Sequence, residues 1–114
     1  MRTVIARHRD FLEQFLQPVI TAPVLAQVRR SPQQVPLNRL IQGCEVVGFA
    51  PDDAAPVGAL LAGAGSSDAV DAHVVVTASR RKCPVLTSDV NDISALVAAL
   101  DDPSPRVRAE PIEG

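Results

Sequence analysis

Short β-branched runs fenced by proline or glycine alternate with segments of helical periodicity along this 114-residue chain, and that alternation leaves few folds open. The clearest runs are Val19-Ile20-Thr21, between Pro18 and Pro23, then Glu45-Val46-Val47-Gly48-Phe49, and Pro84-Val85-Leu86-Thr87. None shows the strict apolar-polar alternation of a strand with one wet face, so each is expected to be covered on both sides. Strands of that kind separated by helices predict an α/β fold, a parallel sheet with helices on both faces. In such folds functional groups gather beyond the carboxyl ends of the strands.

The helical segments are read from spacing and punctuation. Over residues 8–17, Phe11, Leu12, Phe15 and Leu16 share one face while Arg9, Asp10, Glu13 and Gln14 take the other. A second helix is expected from Pro23 to Arg30, and a short one over residues 37–42 after a Pro/Gln-rich connection. Pro51-Asp52-Asp53 opens another, with acids where the helix dipole favours them, and it stops at Gly63-Ala64-Gly65. Residues 69–82 hold Val74-Val75-Val76-Thr77, which suits a strand, but the length and the Arg80-Arg81-Lys82 ending predict a helix. The last helix carries Ile93, Leu96, Val97 and Leu100 on one face; residues 106–110 then alternate like an edge strand.

Length predicts a single domain over 1–114. A hydrophobic fraction of 46% and a charged fraction of 21% are those of a folding chain. Aromatics are only 3%, with no Trp or Tyr, which argues against base-stacking platforms for single strands. The net charge of −2 provides no global positive field, so any RNA contact has to use local Arg clusters or a metal. Cys44 and Cys83 fit neither a zinc spacing nor a redox pair and are read as reduced, buried residues of a cytoplasmic protein. No apolar run approaches the roughly 18 residues of a membrane helix, and the start does not resemble a signal peptide.

The acids carry the chemistry. Asp89 follows the strand that ends at Thr87, where the carboxyl-end rule places functional groups. Asp68 and Asp71 are one helical turn apart at a helix start, and Asp92 lies one turn beyond Asp89. Carboxylates converging without His or Cys suit a hard cation, Mg²⁺ or Mn²⁺. The competing reading is structural: Asp near a helix start ordinarily serves as a cap, and Asp89 can be a turn residue. His8 and His73 stand alone and are read as structural or solvated, and the Arg pairs at helix ends as serving the dipole.

Asp71-Ala72-His73-Val74-Val75-Val76, followed by Val85-Leu86-Thr87-Ser88-Asp89-Val90-Asn91-Asp92-Ile93, resembles the C-terminal half of VapC-type PIN domains. Asp71 and Asp89 stand 18 positions apart, an interval similar to the family's, and the paired form Ser67-Asp68-Ala69-Val70-Asp71-Ala72 resembles one branch of it. The match is specific over residues 66–100 and diffuse before. The resemblance implies a PIN-like three-layer α/β/α fold. Its implied function is Mg²⁺-dependent endoribonuclease action as the toxin of a type II toxin–antitoxin pair, with RNA as substrate, a cognate antitoxin as partner and a homodimer by analogy. It also implies site roles: Asp71, Asp89 and Asp92 as the catalytic acids, Asp71 and Asp89 as metal ligands with Asp68 behind them, and Thr87 or Ser88 as a hydroxyl that orients a metal-bound water.

Two departures accompany the resemblance. Family members open with an apolar strand, near the middle of the sheet, that carries a metal-site Asp; here Met1-Arg2-Thr3-Val4-Ile5-Ala6 is short and acid-free, and a helix is expected from about Thr3, so the first strand is read as missing. The Glu expected on the helix after Pro23 is replaced by Gln27, a far weaker ligand. A start assigned too far downstream, a decaying gene, or pairing through the gap would each account for the missing strand. The readings that remain are a ribonuclease, a catalytically inactive PIN relic or partner-binding module, and, outside the family, a receiver-like or nucleotide-binding α/β module, for which the chain offers no phosphate loop.

Overall fold

Residues 70–78 set the architecture, because the segment with the strongest conflict between propensity and length is a helix. In the computed structural model, which describes residues 3–5, 19–30 and 43–111, α3 spans Ala69–Arg81 and every residue from Asp71 to Ala78 is buried. This stretch is enclosed on every side, and it buries Asp71, His73 and Thr77 along with its apolar residues. Burying Val74, Val75 and Val76 at roughly 1.5–3 kcal/mol each outweighs the few tenths of a kcal/mol that β-branching costs a helix. Thr77 donates its hydroxyl to the His73 carbonyl at 2.9 Å, which satisfies its polar atom inside the packed helix.

The remaining elements follow in order: β1 Thr3–Ile5, β2 Val19–Thr21, α1 Ala22–Arg29, β3 Glu45–Val47, a 3₁₀ turn Pro51–Asp53, α2 Ala54–Ala64, α3, β4 Val85–Thr87, α4 Val90–Ala98 and β5 Ala109–Pro111. Pro23 in its first turn pre-sets α1, as the sequence predicts. α2 ends at Gly65, whose φ of 64° and amide bond to Ala62, with Ser66 N–H donating to Leu61 O at 3.0 Å, close the helix end; Gly63-Ala64-Gly65 is a helix stop. α4 buries Ile93 and Leu96, with Val97 and Leu100 packed at the margin of the core. The helices expected over residues 8–17 and 37–42 lie outside the described residues.

Among the described residues the strands form a mixed α/β arrangement in two small sheets, where one parallel sheet was the expectation. β2 and β3 pair in parallel, as do β4 and β5. β1 is the exception. Residues 3–5 were expected to enter a helix; instead Thr3-Val4-Ile5, all β-branched, pair antiparallel with β4 through a register shift, and β1 also packs beside β2. A three-residue strand exists only through its partner, here more than 80 positions away, so no local pattern announces it.

β5 also departs from expectation. The strand begins three residues later than the alternation predicts, because Ser104 turns the chain: its carbonyl accepts from Val107 N–H at 3.0 Å and its hydroxyl from Arg106 N–H at 3.3 Å. Val107 is thereby buried in the core. α1 packs on β1, β2 and β3, α3 on β2 and β4, and α4 on β4 and β5. Cys83 is buried as expected, which pushes its thiol up to about 11 and keeps it inert, whereas Cys44 is only half-buried. Among the described residues no helix is long and apolar enough to cross a membrane.

α3 closes on Lys82 with φ 54° and ψ 52°, left-handed values that L side chains adopt at a cost. Lys82 is exposed, so Lys82→Gly should raise stability by about 0.5–1 kcal/mol. A urea titration would read it, and an unchanged or lower midpoint would contradict the cap geometry.

Candidate functional site

The tight turn from Lys82 to Pro84 folds β4 back along α3, and α4 starts two residues past the end of β4. Both helix beginnings therefore meet the carboxyl end of β4, the place the carboxyl-end rule assigns to function. Ser66, Ser67, Asp68 and Asp71 from the start of α3 line a cleft of about 400 Å³ together with Asp92 from the first turn of α4. Ser88, Asp89 and Asn91 line an adjoining cleft of about 330 Å³, and Asp92 belongs to both.

The structure thus brings the four aspartates to one end but divides them. Of these two clefts Asp71 lines one and Asp89 the other, with Asp92 in both. Asp71 is 2% exposed, whereas Asp92 is an exposed residue at the rim. For Asp68 the capping alternative holds, because its Oδ1 accepts the Asp71 N–H at 3.0 Å and closes the start of α3. Thr87 is fully buried and its Oγ1 accepts the Asp89 N–H at 2.9 Å. Of the two hydroxyls expected to orient water, exposed Ser88 is the one placed to reach solvent. Gln27 is exposed on α1.

The donors at this end are all oxygens, the chemistry of a hard cation. Among the described residues no three His, Cys, Asp or Glu side chains come together as a group that could hold a metal ion. The residues present therefore fit a hydrated Mg²⁺ or Mn²⁺ held by one or two carboxylates and completed by water and substrate phosphate; they do not form an all-protein cage. Asp71 and Asp89, the ligands that the resemblance implies, with Asp92 between the two clefts, are the residues that would hold it.

A second polar cluster lies on the far side of α3. Buried Asp53 accepts the Ala50 N–H at 2.7 Å, pairs with Arg80, and stands 3.4 Å from Nε2 of buried His73. Phe49 covers the His73 ring at a centroid distance of 4.8 Å. Sequence reasoning treats Asp53 as a first-turn acid and Arg80 as a dipole partner; they are 27 residues apart and no local signal joins them. His73 is structural, as expected, and His8 lies outside the described residues. Arg81 is tied to Glu45 at 2.9 Å, so neither Arg80 nor Arg81 is reserved for phosphate.

This cluster predicts an acid-side loss of stability. The hydrogen bond from Ala50, then the Arg80 guanidinium, hold the Asp53 carboxyl below its ordinary 3.8, and burial holds His73 below its ordinary 6.5 despite the pull of Asp53. Each group binds its proton less readily folded than unfolded, so the stability His73 contributes is present above pH 6.5 and fades below it. The Asp53 contribution fades below pH 3.8. Urea midpoints should be level near pH 7–8 and fall toward pH 5, and His73→Gln should flatten the first decline; a midpoint that rises on acidification would overturn the assignment.

Fold and cleft together define a mixed α/β protein with an acidic cleft at the carboxyl end of a strand. In comparisons with known proteins the chain matches no family model, no curated protein and no solved structure.

Proposed function

We propose that this chain is a PIN-type protein of the VapC kind, with a three-layer α/β/α plan, acting in the cytoplasm as a Mg²⁺- or Mn²⁺-dependent endoribonuclease of a type II toxin–antitoxin pair. The observation that carries the reading is the arrival of Asp71, Asp89 and Asp92, from a motif that resembles the family's, at the carboxyl end of β4. The resemblance implies a first strand near the middle of a parallel sheet; β1 is instead an edge strand of its sheet among the described residues, antiparallel to β4 and without an acid, and lends the reading no support.

A divalent ion at this end would polarise a phosphoryl oxygen and lower the pKa of a bound water. The chain's own part is to concentrate negative charge with Asp71 and Asp92, to hold Asp89 at the adjoining cleft, and to offer the Ser88 hydroxyl to water. RNA is the substrate on this reading, and a cognate antitoxin and a second copy are the protein partners. The inactive relic is the second reading, favoured by Gln27 and by the lack of a three-ligand group among the described residues.

The test is incubation of the purified chain with a mixed RNA substrate in Mg²⁺, in Mn²⁺ and in EDTA. Metal-dependent internal cleavage supports the enzyme; intact RNA in all three, with antitoxin-type partners still bound, supports the relic.

A further inference from the structure

The larger of the two clefts is not lined by acids alone. Ala64 from the end of α2 and Ala95 and Leu96 from α4 give it an apolar part, and Asp92, Ala95 and Leu96 share one face of α4 because they lie three and four residues apart. Leu96 is 2% exposed and roots that part in the core, whereas Ala95 is exposed. The other wall is the turn from α2 into α3, where the Ser66 hydroxyl is committed to the Asp68 N–H at 3.1 Å and Ser67 is exposed. Gly, Ala and Ser make up most of the lining, so short side chains keep about 400 Å³ open, the size of a small-ligand site.

This lining restricts what can enter. A phosphate is repelled by Asp71 and Asp92 and can approach them only through a cation. A ribose is uncharged but polar over most of its surface, and would leave hydroxyls against Ala95 and Leu96 without partners. A nucleobase suits both parts of the cleft, since its faces are apolar and its edge carries donors for carboxylates and acceptors for a hydroxyl. It can present face and edge together only when it is unpaired and splayed from its neighbours. Among the described residues that line the cleft none is aromatic, so a base there is held by its edge and by aliphatic contact, without ring stacking.

We propose that the larger cleft is a base subsite: it receives one unpaired nucleobase of the RNA beside the cation, against Ala64, Ala95 and Leu96, with the Ser67 hydroxyl at the polar edge of the base. The subsite rests on the reading of this end as a cation-dependent RNA site. Asp92, which lines both clefts, joins it to the adjoining cleft of Asp89 and Asn91.

The test follows the full chain by NMR and by binding titration. Cytidine, a nucleoside without phosphate, should shift the amides of Ser67, Ala95 and Leu96, and ribose 5-phosphate should leave them in place. Ala95→Leu puts a branched side chain into the cleft from an exposed helical position where leucine costs little. It should weaken binding of cytidine and of a short single-stranded RNA roughly tenfold or more while Mn²⁺ affinity stays within about twofold. Ser94→Leu, the same side chain at the neighbouring exposed position outside both clefts, should change none of these affinities. Ser67→Ala should weaken cytidine a few-fold through the lost hydrogen bond. Native cytidine affinity in Ala95→Leu or in Ser67→Ala, or ribose 5-phosphate moving the same amides, overturns the proposal. Mn²⁺ alone keeps the two readings apart: a chain that binds Mn²⁺ but shows no cytidine shift keeps the cation site and loses the base subsite, and a chain that shifts with cytidine but binds no Mn²⁺ does the reverse.

Discussion

Replacing Asp71 by asparagine is expected to weaken Mg²⁺ or Mn²⁺ binding by about 100-fold or more, and RNA cleavage with it, since loss of a ligand should exceed the 10–100-fold typical of residues that only support ligands. The side chain is 2% exposed and lines the larger of the two acidic clefts described, and asparagine changes its charge but not its shape. Its amide bond to Asp68 involves the backbone and survives. Loss of metal affinity at a native urea midpoint would place the effect at the site and not in the fold. Asp68→Ala is the contrasting case: it removes a helix cap at a cost of about 1 kcal/mol and should change metal affinity only a few-fold. Calorimetric titration with Mn²⁺ beside urea unfolding separates the two, and an Asp71→Asn chain that binds like the native one would remove Asp71 from the site.

Ile93→Ala should cost about 3 kcal/mol or more. Ile93 is 0% exposed on α4, the helix that packs against α2, α3, β4 and β5 and places Asp92 in both clefts. The loss combines the transfer energy of the removed carbons with a cavity that a helix wedged among four elements cannot collapse to fill. Against a total stability of about 5–15 kcal/mol for an ordinary domain, that is a large fraction. Urea denaturation gives the value directly. A cost under about 1 kcal/mol would mean that α4 repacks, and with it that Asp92 is loosely held.

The local elements were legible where a single stretch holds both the pattern and its punctuation. Pro18 and Pro23 frame β2 and start α1; Gly65 ends α2; Asp68 caps α3. Even the ambiguous valine run resolves correctly once its length and basic end are weighed, because a 13-residue helix leaves no room for a strand of ordinary length. The candidate acids were legible as positions and their common end followed from the carboxyl-end rule. Their division between two clefts did not, since a spacing of one helical turn says which face two side chains share and nothing about which neighbouring helix stands opposite. Thr87 shows the same limit: as a hydroxyl next to the acids it invites a role at water, whereas the fold buries it and sets its Oγ1 on the Asp89 N–H.

By itself the sequence determined that the chain is mixed α/β, where most of its helices and strands lie, and that four aspartates occupy helix starts and the end of β4. These features depend on interactions that span four residues or fewer: caps, turns, helical periodicity and side-chain propensity. The tertiary structure alone decided that residues 3–5 form a strand, that it runs antiparallel to β4, that the strands split into two sheets, and that Asp53, His73 and Arg80 meet behind α3. Each of those depends on partners brought together from distant parts of the chain, where the stabilisation comes from burial and from backbone pairing that no one segment contains.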